Sequence, residues 1–325
     1  MKVAVLGATG VVGRTMLTVL EARGFPVDEL VPLASDRSAG SHVSWRGHDW
    51  PVGTASARSF DGCALALFSA GAERSREWAP RAAEAGAVVV DNSSAWRLDE
   101  RVPLVVPEVN GSEAGNRPLG IIANPNCAAI QLVIALEALR RAAGLRRVVA
   151  TTLQSVSGAG QAGLDALRAE QAGGDAADSP FVARIAGNVV PWIGARAGDG
   201  WNEEETKVRS ETRRILALPA LPVSVTCVRV PVEVGHSVAA SIETERPLSV
   251  DQAAEALRAM AGVVYCDASR DPTPRDVAGT DDVRVGRLRS DPDSPNLLHL
   301  WVVSDNLRKG AATNAVQIAE RVLSG

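Results

Sequence analysis

The most reactive residue pattern in the chain is Asn124-Pro125-Asn126-Cys127, which runs into Ala128-Ala129-Ile130 and then Leu132, Val133, Leu136 and Leu139. The apolar spacing predicts a helix from Ala128 to about Ala143, with Cys127 at its start. Unpaired backbone N–H groups and the helix macrodipole favour a thiolate there, and the same donors suit a substrate oxyanion. A free cysteine is more often an inert buried residue. Cys63, Cys227 and Cys266, each in a strand-like apolar run, fit that description; Cys127, preceded by polar asparagines, does not.

The hydride partner comes from the other end of the chain. The strand pattern Val3–Leu6 leads into Gly7-Ala8-Thr9-Gly10-Val11-Val12-Gly13 and then a helix. This is a GxxGxxG variant of the dinucleotide fingerprint: glycines allow a tight turn and close backbone approach, and the pyrophosphate rests on the helix N-terminus. The second strand ends in Ser35-Asp36-Arg37-Ser38, which contains both an acid suited to the ribose of NAD and an arginine suited to a 2′-phosphate. Ser35, Arg37 and Ser38 form a phosphate cup, which favours NADP. A thiol nucleophile beside a nicotinamide serves aldehyde–acyl interconversion through a thiohemiacetal and a thioester.

Further polar residues have readings of either kind. His236 closes the run Arg229-Val230-Pro231-Val232-Glu233-Val234-Gly235-His236 and is the best general acid/base beside a thiol, although a lone histidine is often structural. Arg229 shares a strand face with Val223, Val225 and Cys227, so it needs a buried anion, from a protein carboxylate or from a substrate. Arg97, in Asp91-Asn92-Ser93-Ser94-Ala95-Trp96-Arg97, follows a buried strand at its carboxyl end and is placed to clamp an oxyanion. Glu204 and Lys207, in a helix expected over 201–214, read from spacing alone as a surface pair.

These residues require two supports. Strand candidates Val3–Leu6, Leu30–Ala34, Ala64–Phe68, Val88–Asp91, Leu104–Val106 and Ile121–Ala123 alternate with helices over Val11–Ala22 and Ser75–Ala85, the signature of parallel βαβ units. After Cys127 come strands Val148–Val156, Val223–Val230, Ser237–Thr244 and Leu297–Val303, a helix over Val250–Ala261 and a Gly/Ala-rich stretch over 157–174. The later strands read as antiparallel, with a bend at Pro231–Gly235, and 279–295 reads as a polar surface excursion. The expected fold class is α/β: a Rossmann-type dinucleotide-binding domain plus an α+β catalytic and dimerisation domain with an antiparallel-rich sheet. The amphipathic tail over 311–323 is expected to return to the first domain, giving 1–126 with 306–325 and 127–305.

With 325 residues and a net charge of −4, the chain has the length of two domains and no basic block for nucleic acid or anionic membrane. Its four cysteines and four histidines show no zinc-ligand spacing, so no metal is expected. The strand beginning at Lys2 leaves no room for a targeting segment, and no apolar run approaches the ~20 residues of a membrane helix, so a reduced cytoplasmic protein is expected.

Together the motifs resemble the aspartate-semialdehyde dehydrogenase family over essentially the whole chain. They are GATGVVG (7–13), LASDRSAG (33–40), FSAG (68–71), 91–97, NPNC (124–127), QSVSGAG (154–160), EETK (204–207), 229–236 and NLRKGAATNAVQIAE (306–320). The resemblance implies reversible NADP-dependent conversion of L-aspartate 4-semialdehyde and phosphate to L-4-aspartyl phosphate, toward lysine (through diaminopimelate), methionine and threonine. It implies Cys127 as nucleophile, Gln154 orienting the acyl intermediate and His236 as acid/base. It implies Arg229 for the substrate carboxylate and Glu204 for its amino group, with Arg97, Asn126 and Lys207 holding phosphate. Gly7, Thr9, Gly10, Val11, Val12, Gly13, Ser35, Arg37, Ser38, Ser157, Gly158 and Asn314 would contact the cofactor. It further implies a homodimer or homotetramer built through the second domain. Two departures stand out: Ala128-Ala129 where the family usually has Ser-Thr, and an acid at Asp36. A related acyl phosphate or semialdehyde is the alternative substrate.

Overall fold

The computed structural model describes residues 1–267 and 269–324, which divide into two compact units. One comprises Met1–Pro125 and the stretch from Ala311 onward; the other is Asn126–Gly310.

The first unit is built on a six-stranded parallel sheet. Its elements are β1 (Lys2–Leu6), α1 (Val11–Ala22), β2 (Glu29–Ala34), the hairpin β3 (His42–Trp45) and β4 (His48–Pro51), β5 (Gly53–Thr54), β6 (Leu65–Phe68), α2 (Ala72–Glu84), β7 (Val88–Asp91), α3 (Pro107–Asn110) and β8 (Ile121–Ala123). The sheet order is β5-β2-β1-β6-β7-β8. The chain leaves β1 toward β2 and later resumes on the opposite side at β6, so the order reverses at β1. Ligands bind outside the carboxyl ends of strands at such a reversal. β1 and β6 are buried along both faces, which explains their unbroken apolar sequence. Met16 and Leu20 of α1 are fully buried against this core, and Trp45 of β3 donates its indole N–H to the Leu17 carbonyl at 2.8 Å. Leu104–Val106 is not a strand; Leu104 forms only an isolated bridge to Ala123.

The second unit opens with α4 (Cys127–Ala143), whose residues from Ala128 to Leu139 are all buried. There follow β9 (Arg147–Gln154), α5 (Gly160–Gln171), α6 (Glu203–Ile215), β10 (Val223–Arg229), β11 (His236–Glu243), α7 (Val250–Ala259), β12 (Val263–Tyr265), α8 (Pro274–Val277), β13 (Val283–Ser290) and β14 (Leu297–Ser304). The sheet order is β10-β9-β11-β14-β13-β12. β9, β11, β14 and β13 pair antiparallel in turn, while the edge pairs β10–β9 and β12–β13 are parallel.

Several local expectations change here. Not all the later strands pair antiparallel: β10 and β11 flank the bend and run in opposite directions, but β9 lies between them and β10 pairs parallel to β9, with α5 and α6 making the crossover. The Gly/Ala-rich stretch is a short 3₁₀ turn leading into α5, with Leu164 and Leu167 buried. The polar excursion over 279–295 contains β13, whose Val283 and Val285 are buried while the half-exposed Arg284 and exposed Arg287 and Arg289 give it a polar sequence. Cys266 is half-buried rather than buried.

The chain ends in α9 (Thr313–Ser324), which packs within the first unit; Ala315, Val316 and Ile318 are fully buried there. Among the described residues no helix is long and apolar enough to cross a membrane, and no group of His, Cys, Asp and Glu is arranged to hold a metal ion.

Candidate active site

Within the second unit, Asn126 sets the start of α4. Its Oδ1 accepts from the backbone N–H groups of Ala128 and Ala129 at 2.9 and 3.2 Å, a side-chain cap. Its own N–H donates to Glu211 at 2.5 Å, and Glu211 is buried. Cys127 is the first helical residue and half-exposed. Gly310 lies behind it: a Cβ there would sit 3.1 Å from the Cβ of Cys127.

Glu204 faces inward instead of pairing at the surface. Its Oε1 accepts from Asn126 Nδ2 at 2.8 Å and from Gln154 Nε2 at 2.9 Å. Gln154 ends β9 and Glu204 lies in the first turn of α6, whose capping box runs from Asn202 to Glu205. The expected Glu204–Lys207 pair is absent among the described residues; Lys207 pairs with Glu203 at 2.5 Å, one turn back.

Arg229 ends β10, buried, and its Nη1 donates to the Ser155 carbonyl at 2.6 Å. Its guanidinium lies 5.8 Å from the Phe181 ring centroid. Burial lowers its pKa, against the opposing pull of Glu204 and Cys127. No protein carboxylate pairs with it among the described residues. Burial, with Arg229 second, also pushes His236 well below its ordinary value, so the ring is neutral at physiological pH. Its Nδ1 lies 3.0 Å from both the backbone nitrogen and the hydroxyl of Ser155, while its buried Nε2 has no partner among the described residues. Gly158 is the close neighbour of both groups. A Cβ there would meet Arg229 Nη1 at 2.8 Å and His236 Nε2 at 3.4 Å. Ser157, by contrast, is buried and bonded to Asn306. Cys227 is buried and its thiol is pushed far up by burial, the inert state expected of it.

In the first unit the glycine loop is sterically closed around itself. Gly7 has a φ of +91°, and a Cβ there would strike Ser69 O at 2.4 Å; one on Gly13 would lie 2.0 Å from Gly7 O. Gly10 is the N-cap of α1, and no side chain caps that turn, so the first N–H groups at Val11 and Val12 have no side-chain competitor for an anion. A cleft of about 300 Å³ opens here, lined by Gly7, Thr9, Gly10, Ser35, Asp36 and Arg74 among others. Arg37 and Ser38 line the neighbouring cleft with Arg14, and Thr9 Oγ1 donates to Ser38 Oγ at 3.3 Å. A cradle that only glycines can occupy, open to the polar end of β2, fits a dinucleotide.

Arg97 and Asn314 are both anchored by hydrogen bonds within that unit. Arg97 is buried; its Nε donates to Asn124 O at 2.9 Å and its Nη2 to Asn92 O at 2.7 Å. Asn314 is fully buried, donating to Val105 O at 3.0 Å and Asn124 Oδ1 at 2.6 Å.

Residues 2–116 match the family described as semialdehyde dehydrogenase, NAD binding domain, and residues 136–309 match semialdehyde dehydrogenase, dimerisation domain. The aspartate-semialdehyde dehydrogenase of Aquifex aeolicus is 48% identical over 98% of this chain and 97% of its own. The chain belongs to the aspartate-semialdehyde dehydrogenase family. Among solved structures, aspartate semialdehyde dehydrogenase II of Vibrio cholerae complexed with ASA superimposes with a TM-score of 0.96 at 46% identity, covering 99% of this chain and 98% of that one. The Candida albicans aspartate semialdehyde dehydrogenase with NADP gives a TM-score of 0.75 at 26% identity, covering 99% and 98%. As a family member with the matched dimerisation domain, the chain forms oligomers through its second unit. The second unit also holds groups that the sequence motifs did not single out: Ser155, Glu211, Asn306 and Gly310. Ser155 and Asn306 lay inside recognised motifs but carried no chemical signal of their own, and Glu211 reads as one more helical acid.

Proposed function

We propose that the chain is an NADP-dependent, phosphorylating aspartate-semialdehyde dehydrogenase. The observation that carries this is the Glu204 carboxylate, held by the Asn126 and Gln154 amides beside the nucleophile's helix, in the same unit as buried Arg229. Oε1 of Glu204 is taken by two amides, which leaves Oε2 for a substrate ammonium. Arg229 supplies the partner for the α-carboxylate. A short amino acid with a reactive 4-carbonyl satisfies both.

The glycine loop, Ser35, Arg37 and Ser38 would hold NADP, whose nicotinamide supplies or accepts the hydride when bound; Ser157, Gly158 and Asn314 complete the cofactor contacts. The thiolate of Cys127 attacks the acyl phosphate carbonyl, forming the C–S bond and expelling phosphate. In the oxidative direction it adds to the aldehyde, giving a thiohemiacetal; as this is oxidised to the thioester, its hydroxyl proton passes to His236 and its hydride would pass to the bound NADP. Phosphate then attacks the thioester and frees the thiolate. Backbone N–H groups of α4 stabilise the oxyanion, Gln154 orients the acyl group, and Lys207, Arg97 and Asn126 hold the phosphate. We assign dinucleotide binding to the first unit and catalysis with dimerisation to the second, in a cytoplasmic homodimer or homotetramer.

Phosphate-dependent reduction of NADP with L-aspartate 4-semialdehyde tests this reading. A folded protein that binds NADP yet shows no such activity overturns it.

A further inference from the structure

Between the end of α5 and the start of α6 the chain runs from residue 172 to 202 without a helix or strand. Loops of that length inside a compact unit are uncommon and usually carry function. This one is pinned down as a strap. Glu170, buried in the last turn of α5, accepts the backbone N–H groups of Ile185 and Ala186, both at 2.7 Å. Farther on, Val190 and Arg229 exchange backbone hydrogen bonds at 2.9 and 2.8 Å, so the strap pairs with the end of β10. The Ile193 carbonyl then accepts the backbone N–H of Glu204 at 3.4 Å. From Val190 to Ile193 the strap thus holds the main chain of both residues assigned to the substrate's carboxylate and amine.

The strap also brings a side chain to Arg229. The guanidinium carbon lies 5.8 Å from the Phe181 ring centroid, within the ~6 Å over which an aromatic face attracts a cation. That attraction is stronger for a buried guanidinium such as this one, because water does not compete for it. Phe181 is half-buried, and its ring tip rests in a notch left by Gly163 of α5, where an added Cβ would stand 3.2 Å from Cζ. The ring is therefore held between α5 and the guanidinium. Of the guanidinium nitrogens, Nη1 is taken by the Ser155 carbonyl at 2.6 Å; Nε and Nη2 make no hydrogen bond among the described residues.

Building on the reading of Arg229 as the carboxylate partner, we propose that Phe181 is a positioning residue that sets specificity for substrates bearing an α-carboxylate. With Nη1 fixed by Ser155 and the ring against the guanidinium, the Nε–Nη2 edge is the one left for two parallel hydrogen bonds to a carboxylate. An aliphatic side chain of similar size fills the same space without attracting the cation. The guanidinium then samples other rotamers, and the two-point pairing weakens. Because the ring acts through Arg229, its effect is confined to molecules that carry the carboxylate.

The test is steady-state kinetics of the full-length enzyme with L-aspartate 4-semialdehyde and with 3-aminopropanal, the same aldehyde without its carboxylate. Phe181→Leu should raise the KM for the semialdehyde about five- to tenfold, with kcat and the KM for NADP changed less than about twofold. Its kcat/KM for 3-aminopropanal should match the wild type, because Arg229 then has no anion to bind. A purely structural role would lower both substrates together. Replacing Phe181 by 3,5-difluorophenylalanine keeps the shape and the ring tip at Gly163 while weakening the negative ring face. It should raise the semialdehyde KM about two- to threefold. An unchanged semialdehyde KM with the fluorinated ring, or equal losses on both substrates, overturns the proposal, even where Phe181→Leu fails to fold. Calorimetric titration with L-2-aminobutyrate, which has the amine and carboxylate but no aldehyde, makes the same comparison without turnover. A wild type that binds it more tightly than the fluorinated variant, yet has no semialdehyde activity, would refute the proposed function alone.

Discussion

Asn126 donates its side-chain amide to Glu204 at 2.8 Å, so the residue immediately before Cys127 holds the carboxylate proposed to recognise the substrate amine. Because the same side chain caps α4, the helix that begins at Cys127 and the proposed ammonium site are fixed by one residue. Glu204→Gln keeps an oxygen for the two amides and removes the charge. It should lower kcat/KM for aspartate semialdehyde by about 10²-fold, ~2.7 kcal/mol of transition-state binding, and weaken discrimination against N-acetylated analogues. Steady-state kinetics with both substrates checks this; an unchanged preference would remove Glu204 from recognition.

Arg229→Leu should raise the KM for the semialdehyde by about 10²-fold and leave NADP affinity within about twofold, as expected for a desolvated arginine proposed to bind the substrate carboxylate and not the cofactor. Equal losses in both, by kinetics and cofactor titration, would make Arg229 a scaffold residue.

Gly158→Ala places a methyl 2.8 Å from Arg229 Nη1, so the guanidinium must move. Activity should fall at least about tenfold with the melting temperature within a few degrees of wild type, because Gly158 is exposed and its φ is not in the left-handed region. A large drop in melting temperature would assign it a folding role instead.

In the dinucleotide loop, Gly13→Ala puts a Cβ 2.0 Å from the Gly7 carbonyl, backbone against backbone. NADP binding, followed by fluorescence or calorimetry, should weaken by about 10²-fold or more, in line with displacement of a pre-formed cradle. Gly115→Ala, with no heavy atom within 4 Å of the added Cβ, is the matched control and should bind normally.

His236 also links stability to pH. Its folded pKa lies well below that of the unfolded chain, by burial first and Arg229 second. Above ~6.5 the ring is neutral in both states; below it the unfolded chain binds a proton that the native state refuses, so stability falls as pH falls, by up to ~1.4 kcal/mol per pH unit. His236→Gln should flatten the urea-unfolding free energy over that acidic range. An unchanged slope would mean the native ring protonates normally.

The sequence by itself determined the elements that depend on local pattern. Gly7–Gly13 marked a strand–turn–helix because a Cβ at Gly7 or Gly13 would lie 2.0–2.4 Å from backbone oxygens in that turn, and the apolar run after Asn126 marked a helix with Cys127 at its first position. The family resemblance named Glu204 and Arg229, but their surroundings were not legible. Spacing alone made Glu204 a surface partner of Lys207; only the approach of α6 to β9 and α4 turns it toward Gln154 and Asn126. Strand order escaped for the same reason: β10 and β11 are separated by a short bend, yet β9 fills the space between them. Likewise, no local pattern shows that Asn306, 151 residues after Ser155, takes the hydroxyl proton beside His236. Periodicity reports which face of a segment is buried; which distant polar atoms meet is decided by long-range packing.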